Sequence, residues 1–186
     1  LHLCHHNLET IKNTTSTSTD TLLAEVCMAA KYEGDLINTH YTRHQHKYDG
    51  SQLCTVLARS FADIGDIVRG KDLFLGNTYE SAQRKKLDDK LKEVFGKIHG
   101  GLTGGAKKHY QDKNGGNFFK LREDWWNANR ETIWKAITCD VKSGNNYFRQ
   151  TCGSGNNATQ ASHCRCEGTN SDQVPTYFDY VPQFLR

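Results

Sequence analysis

The sequence predicts a mainly α fold: a disulfide-stapled four-helix bundle with long irregular loops. Three observations carry this. Four stretches between Thr21 and Thr138 repeat apolar residues at intervals of three and four, while the alternation expected of strands is nearly absent. Of seven cysteines, Cys27 and Cys54 sit in apolar helical patterns and the others flank loops, and none forms a CxxC pair, which fits an oxidising compartment better than a redox centre. A length of 186 residues suits one domain, or one and a half.

The first helix is predicted from Thr21 to about Gly34. Leu22, Leu23, Val26, Cys27, Ala29 and Ala30 supply its stripe, Asp20 is a plausible N-cap and Gly34 a plausible stop. The Ser/Thr run Thr14–Thr19 before it reads as loop. The second helix spans about Gln52 to Val68, with Leu53, Leu57, Phe61, Ile64, Ile67 and Val68 on one face. Gly65 interrupts it at a cost of roughly 1 kcal/mol relative to Ala, so a close helix contact is expected there. The third spans about Tyr79 to Ile98, with Leu87, Leu91, Val94, Phe95 and Ile98 inward and a Lys/Asp/Glu face outward. A glycine-rich loop then runs to Asn117. The fourth helix spans about Asp124 to Thr138, with Trp126, Ile133, Trp134 and Ile137 inward. Residues 140–174 return to Gly, Asn and Ser.

Charge narrows the function classes. Lys and Arg number 24 against 21 Asp and Glu, a net +3, too small an excess for nonspecific nucleic-acid packaging. No apolar run approaches the ~20 residues that span a bilayer. The chain opens at Leu1 without a signal segment and closes on the apolar run Tyr177–Leu185, so the expectation is a piece of something longer.

Catalytic and cofactor chemistry finds little support. Gly65, Gly70 and Lys71 match G-x-x-x-x-G-K, but Asp72 replaces the Ser or Thr that would hold magnesium, and the motif ends a helix rather than opening one. A helix face with a glycine stop is the expected reading. His5 and His6 are adjacent, and His40, His44 and His46 are clustered. His40 and His44 have i, i+4 spacing but are flanked by Arg43 and Lys47, with no Asp, Glu or Cys partner near. Cys164 and Cys166 with His163 could be half a zinc site, for which disulfides are the better explanation. No Cys stands with a His and an orienting carboxylate or amide. The expectation is no enzyme, no metal and no cofactor. Trp125 lies off the inward face of Trp126 and Trp134 and is the tryptophan to test as a carbohydrate-stacking platform. Basic groups recur outside the stripes at Arg43 and Lys47, Arg84–Lys86, and Lys107 with Lys108. They are either a solvated face or a contact for sulfated or sialylated sugars.

Longer motifs carry a resemblance. Residues 57–72 read LARSFADIGDIVRGKD, residues 118–139 read FFKLREDWWNANRETIWKAITC, residues 22–34 read LLAEVCMAAKYEG, and the end reads YFDYVPQFLR. Together with the opening LHLCHHNLE, they resemble the Duffy-binding-like domain, alpha type, of the malaria parasite's variant erythrocyte membrane protein family. The resemblance spans essentially the whole chain.

That resemblance implies a non-enzymatic adhesin module on the surface of infected red cells, anchored by a distant membrane segment. It implies host receptors or glycans as partners, with heparan sulfate, blood-group sugars and complement receptor one as family candidates, together with antibodies and an adjacent cysteine-rich domain, and no nucleic acid. The alternative is a scaffold module that positions a neighbour and has no receptor of its own. Residues 1–20 would be the end of a first subdomain, 21–152 a helical second subdomain, and 153–186 a linker and the start of a third. The family pattern suggests disulfides Cys54–Cys152 and Cys27–Cys139, although spacing alone does not choose among the three pairings of four cysteines. Cys4 would belong to the preceding subdomain, and Cys164 and Cys166 stay unassigned. Arg43, Lys47, Lys107 and Lys108 are the candidate glycan or receptor contacts. Asn13 and Asn157 are formal glycosylation sequons, expected to be unmodified in the parasite.

Overall fold

The computed structural model describes residues 19–44, 52–73, 77–112 and 115–186. Its elements are α1 (Thr19–His44), α2 (Leu53–Arg69), α3 (Thr78–Gly101), α4 (Gly104–His109) and α5 (Phe119–Ile137), followed by the short antiparallel pair β1 (Gln150–Cys152) and β2 (Thr159–Gln160). Four helices fall where the apolar periods place them. α4 and the β pair are additions within stretches expected to be loop.

α5 is the central helix, packed against α1, α2 and α3. Phe61 of α2 stacks between two of its tryptophans, with ring centroids 5.0 Å from Trp126 and 5.2 Å from Trp134. Gly65 is where α2 meets Trp126: a Cβ there would lie 2.8 Å from the indole, so the glycine is a contact surface, as its position suggested.

Gly34 corrects the expected end of the first helix. α1 continues ten residues beyond it, because the glycine serves packing rather than termination. A Cβ at Gly34 would overlap the Ile137 carbonyl, which lies against the helix at that point. Asp20 falls in the first turn of α1, favourably placed against the helix dipole rather than preceding the helix. Immediately before Gly34, buried Glu33 accepts a hydrogen bond from Ser60 Oγ at 2.9 Å and so ties α1 to α2.

The end of α2 is built in detail. Gly70 adopts φ +71°, and the Gly70 and Lys71 amides donate to the Ile67 and Asp66 carbonyls, closing a Schellman motif. Fully buried Arg122 of α5 caps the same helix end, donating from Nε to the Val68 carbonyl and from Nη2 to that of Ile67, while Nη2 also reaches Asp88 of α3 at 3.0 Å. One guanidinium thereby joins three helices. α3 opens with a capping box, in which Asn77 accepts from the Glu80 amide and Glu80 accepts from the Asn77 amide.

The last dozen residues form a strap across α2 and α5. Asp179, in the turn Phe178–Tyr180, is buried and accepts from Trp126 Nε1 at 3.0 Å and from Arg130 at 2.8 and 3.0 Å. Its backbone carbonyl accepts from Arg69. Arg186 pairs with Asp63 at 3.0 Å and with Asp66, both on α2.

The disulfides correct the expected pairing. Cys54 is bonded to Cys164, and Cys152 to Cys166. The reason is the turn at Ser162–Arg165. There the Cys164 amide donates to the Asn145 carbonyl, and the Cys164 carbonyl accepts from Trp134 Nε1, which delivers this sulfur to α2. Cys152 is left facing Cys166 across a short loop. Cys27 and Cys139 are thiols, so the expected Cys27–Cys139 bridge is absent here. Cys139 is exposed just beyond α5 and donates to Asp140 at 3.2 Å, whereas Cys27 is half-buried on α1, where desolvation raises its pKa. Cys4 lies outside the described residues.

Three outcomes are expected. Asp179→Asn removes the buried carboxylate and leaves the partly buried Arg130 without its charged partner, and should lower unfolding stability by about 3 kcal/mol in urea titration. Non-reducing peptide mapping should return Cys54–Cys164 and Cys152–Cys166 as linked peptides, with Cys27 and Cys139 alkylated as thiols. Burial raises the Glu33 pKa. A carboxyl whose pKa is higher folded than unfolded favours folding at low pH, and loses that contribution as pH climbs from the ordinary glutamate value through the raised one. Glu33→Gln should therefore flatten the fall in melting temperature between acidic and neutral pH.

Candidate functional site

The candidate contacts separate once placed on the fold. Lys107 and Lys108 lie on α4, a six-residue helix with no buried residue, and both are exposed. Among the described residues neither makes an ion pair. Arg43 falls within α1, but its side chain, like all of Lys47, lies outside the described residues. The structure therefore brings Lys107 and Lys108 together and places neither of the other two relative to them.

The lysines of α3 differ. Lys85 pairs with Asp89 at 2.7 Å, Lys92 with Asp88 at 2.8 Å, and Lys90 and Lys97 share Glu93 at 3.1 and 2.8 Å. Two lysine ammonium groups on Glu93 hold its carboxyl below the usual range. Arg84, also in the basic run, pairs with Asp72 at 2.7 Å. This face is cationic by count but is internally neutralised, at spacings of three and four along one helix.

α4 follows directly on α3: the Leu102 amide donates to the His99 carbonyl, and Leu102 and Tyr110 pack on the core at either end of the short helix. Two glycines open the short helix. Gly104 has φ +53° and sits in open space, and Gly105 likewise meets nothing. Among the described residues no carboxylate pairs with Lys107 or Lys108, and both are exposed.

The remaining motifs resolve into structure. The phosphate-loop lookalike is the end of α2, where Gly65 meets Trp126, Gly70 ends the helix and Lys71 pairs with Glu123. Its amides are consumed by helix carbonyls. Trp125 is not an exposed platform: it is 5% exposed and meets Phe95 edge-on at 6.0 Å between centroids. The period of α5 hid this, because α3 covers a second face of the helix that a single stripe does not reveal. Among the described residues no group of three His, Cys, Asp or Glu is placed to hold a metal ion, and no helix is long and apolar enough to cross a membrane.

Sequence reasoning missed the Arg122, Arg130 and Asp179 network, for which the signal was slight: arginines on the apolar side of α5, and an aspartate within the aromatic run Tyr177–Tyr180. The start of α3 at Thr78 had a signal that the expected start near Tyr79 did not use, the asparagine–glutamate pair Asn77 and Glu80 at capping-box spacing.

A family model described as the Duffy binding domain matches residues 1–186. The chain is similar to the NTS-DBL1(alpha-1) domain of Plasmodium falciparum membrane protein 1 (PfEMP1) from the varO strain, with 44% identity and a TM-score of 0.78, over 99% of this chain and 40% of that one. It is similar to the NTS-DBL1-alpha and CIDR-gamma double domain of PfEMP1 from the same strain, at 42% identity and a TM-score of 0.77, over 99% of this chain and 25% of that one. An ICAM-1-binding DBLbeta domain of PfEMP1 is 32% identical with a TM-score of 0.67, over 100% of this chain and 39% of that one. The chain thus spans well under half the length of these solved relatives. No curated protein sequence matches. The helical architecture and the match along the whole chain agree, and the chain belongs to the Duffy binding domain family.

Proposed function

We propose that this chain is part of a host-receptor-binding adhesin module displayed on the infected red cell, where it takes part in adhesion, rosetting and antigenic variation. The observation that carries the reading is the 44% identity to a PfEMP1 domain across 99% of the chain, at a TM-score of 0.78. A related domain was solved bound to human ICAM-1, which supports host-protein binding for the wider family. For this chain the favoured ligand class is an anionic host glycan such as heparan sulfate. Lys107 and Lys108 support this choice, since they are exposed and unneutralised while the lysines of α3 are already paired. Blood-group sugars and complement receptor one are the other candidates.

A second reading is a scaffold that positions a neighbouring domain. It is supported by the double-domain relative, in which a CIDR-gamma domain accompanies DBL1-alpha.

Heparin binding distinguishes the two. Replacing Arg43, Lys47, Lys107 and Lys108 by Ser takes the net charge from +3 to −1. Replacing Lys85, Lys86, Lys90 and Lys92 by Ser makes the same change. The first set should weaken heparin retention and flatten its salt dependence, and the second should do so much less. Helical circular dichroism should be unchanged in the first set. Equal losses would indicate general charge, and no loss in either would leave the scaffold reading ahead.

A further inference from the structure

We propose that the cleft between the end of α2 and the N-terminal half of α3 is a binding site for a small tetrahedral oxyanion, sulfate or phosphate, held by the buried guanidinium of Arg122 and the ammonium of Lys85. The cleft has a volume of about 210 Å³, with Ile67, Gly70 and Asp72 on one side and Arg84, Lys85 and Asp88 on the other. Arg122 lies behind this lining. Its Nη2 donates to the Ile67 carbonyl and to Asp88. A Cβ on Gly70 would come within 2.9 Å of both Cζ and Nη1 of Arg122, and since residue 70 is glycine no side chain occupies that approach. Nη1 is buried and has no hydrogen-bond partner among the described residues. An unmet buried donor on a charged group is costly, and an acceptor oxygen reaching it would relieve that cost. Desolvation outweighs Asp88 and lowers the pKa of Arg122, so its buried charge is incompletely balanced.

The hydrogen-bonding valences select an acceptor as the ligand. Asp72 already accepts on its two oxygens, from Arg84 at 2.7 Å and from Gln183 at 3.2 Å. Asp88 accepts on its two from Arg122 at 3.0 Å and from Lys92 at 2.8 Å. The carbonyls at the end of α2, whose dipole would repel an anion, are also taken. Asp66 accepts from the Lys71 amide, Ile67 from the Gly70 amide and Arg122, and Val68 from Arg122. The donors are less fully used: Nη1 of Arg122 is unpaired, and Lys85 meets Asp89 at 2.7 Å while an ammonium carries three N–H groups. Three cations, Arg84, Lys85 and Arg122, stand against two carboxylates, Asp72 and Asp88, which favours an oxyanion over a neutral acceptor. These are side-chain donors, so the cleft is a different device from a phosphate loop, and it shares no residue with the Lys107 and Lys108 pair.

NMR titration of the isotopically labelled chain tests the proposal, with sodium chloride replaced by sodium sulfate or phosphate at constant ionic strength. The backbone amides of Gly70, Lys71, Arg84 and Lys85 and the Arg122 Nε–H should shift together and saturate. Lys85→Gln should weaken binding about threefold, and Asp72→Asn should tighten it about threefold. Lys90→Gln makes the same charge change as Lys85→Gln on the same helix but outside the cleft, and should leave binding unchanged. A heparin-derived sulfated disaccharide identifies the source of the anion. If it saturates the same amides, the site takes a sulfate borne on a glycan; if only the free ions do, it takes an inorganic anion. The proposal is overturned if the shifts grow without saturating, the mark of an adventitious ion only, or if the Arg122 Nε–H does not respond. It is equally overturned if Lys90→Gln weakens binding as much as Lys85→Gln, or if the Lys85 and Asp72 variants move the affinity in the same direction.

Discussion

The buried carboxylate of Asp179 is the interaction on which the remainder of the structure depends. A desolvated carboxylate is tolerated only when its lone pairs are occupied and its charge is balanced. Here the Trp126 indole and the Arg130 guanidinium occupy them, and Arg69 holds the backbone carbonyl of the same residue. Trp126 is also the residue against which Phe61 and Gly65 of α2 pack. The polar centre therefore orients the central tryptophan, and the tryptophan sets the approach of α2 to α5. Removing one partner would strand the others in a low-dielectric interior.

Arginines extend this logic outward. Arg122 ends α2 and reaches α3, Arg69 spans Asp66 and Glu123, and Arg186 returns the end of the strap to α2. A planar guanidinium with five donors can satisfy several carbonyls and carboxylates at once, which an ammonium group cannot. The fold uses that property where a chain of modest apolar content needs directional contacts between helices. The disulfides add covalent closure: Cys54–Cys164 spans 110 residues, and a loop of that size contributes ~4–5 kcal/mol in the chain-entropy model.

The surface divides by what the lysines face. On α3 they meet carboxylates one turn away, so the helix presents little net field. On α4 no carboxylate among the described residues pairs with Lys107 or Lys108. A polyanionic partner that displaces counterions would be drawn to the second group rather than the first, although the first holds more lysines.

The four principal helices were legible in the sequence because a repeat of three and four reports which residues face a core, whatever lies opposite. The family was legible because its motifs run unbroken along the chain. The helix stops, cysteine partners and neutralised charges were not. Gly34 looks like a terminator until the Ile137 carbonyl is seen to occupy the space its missing side chain leaves. Trp125 looks exposed until α3 covers it. Cys164 reaches Cys54 because a turn more than a hundred residues away is held by Asn145 and Trp134, and sequence spacing carries no record of that approach. By itself the sequence determined the helices and the family, since these rest on local periodicity and contiguous motifs. Only the tertiary structure decided which sulfurs bond and which glycines pack, since each depends on a neighbour remote in the chain.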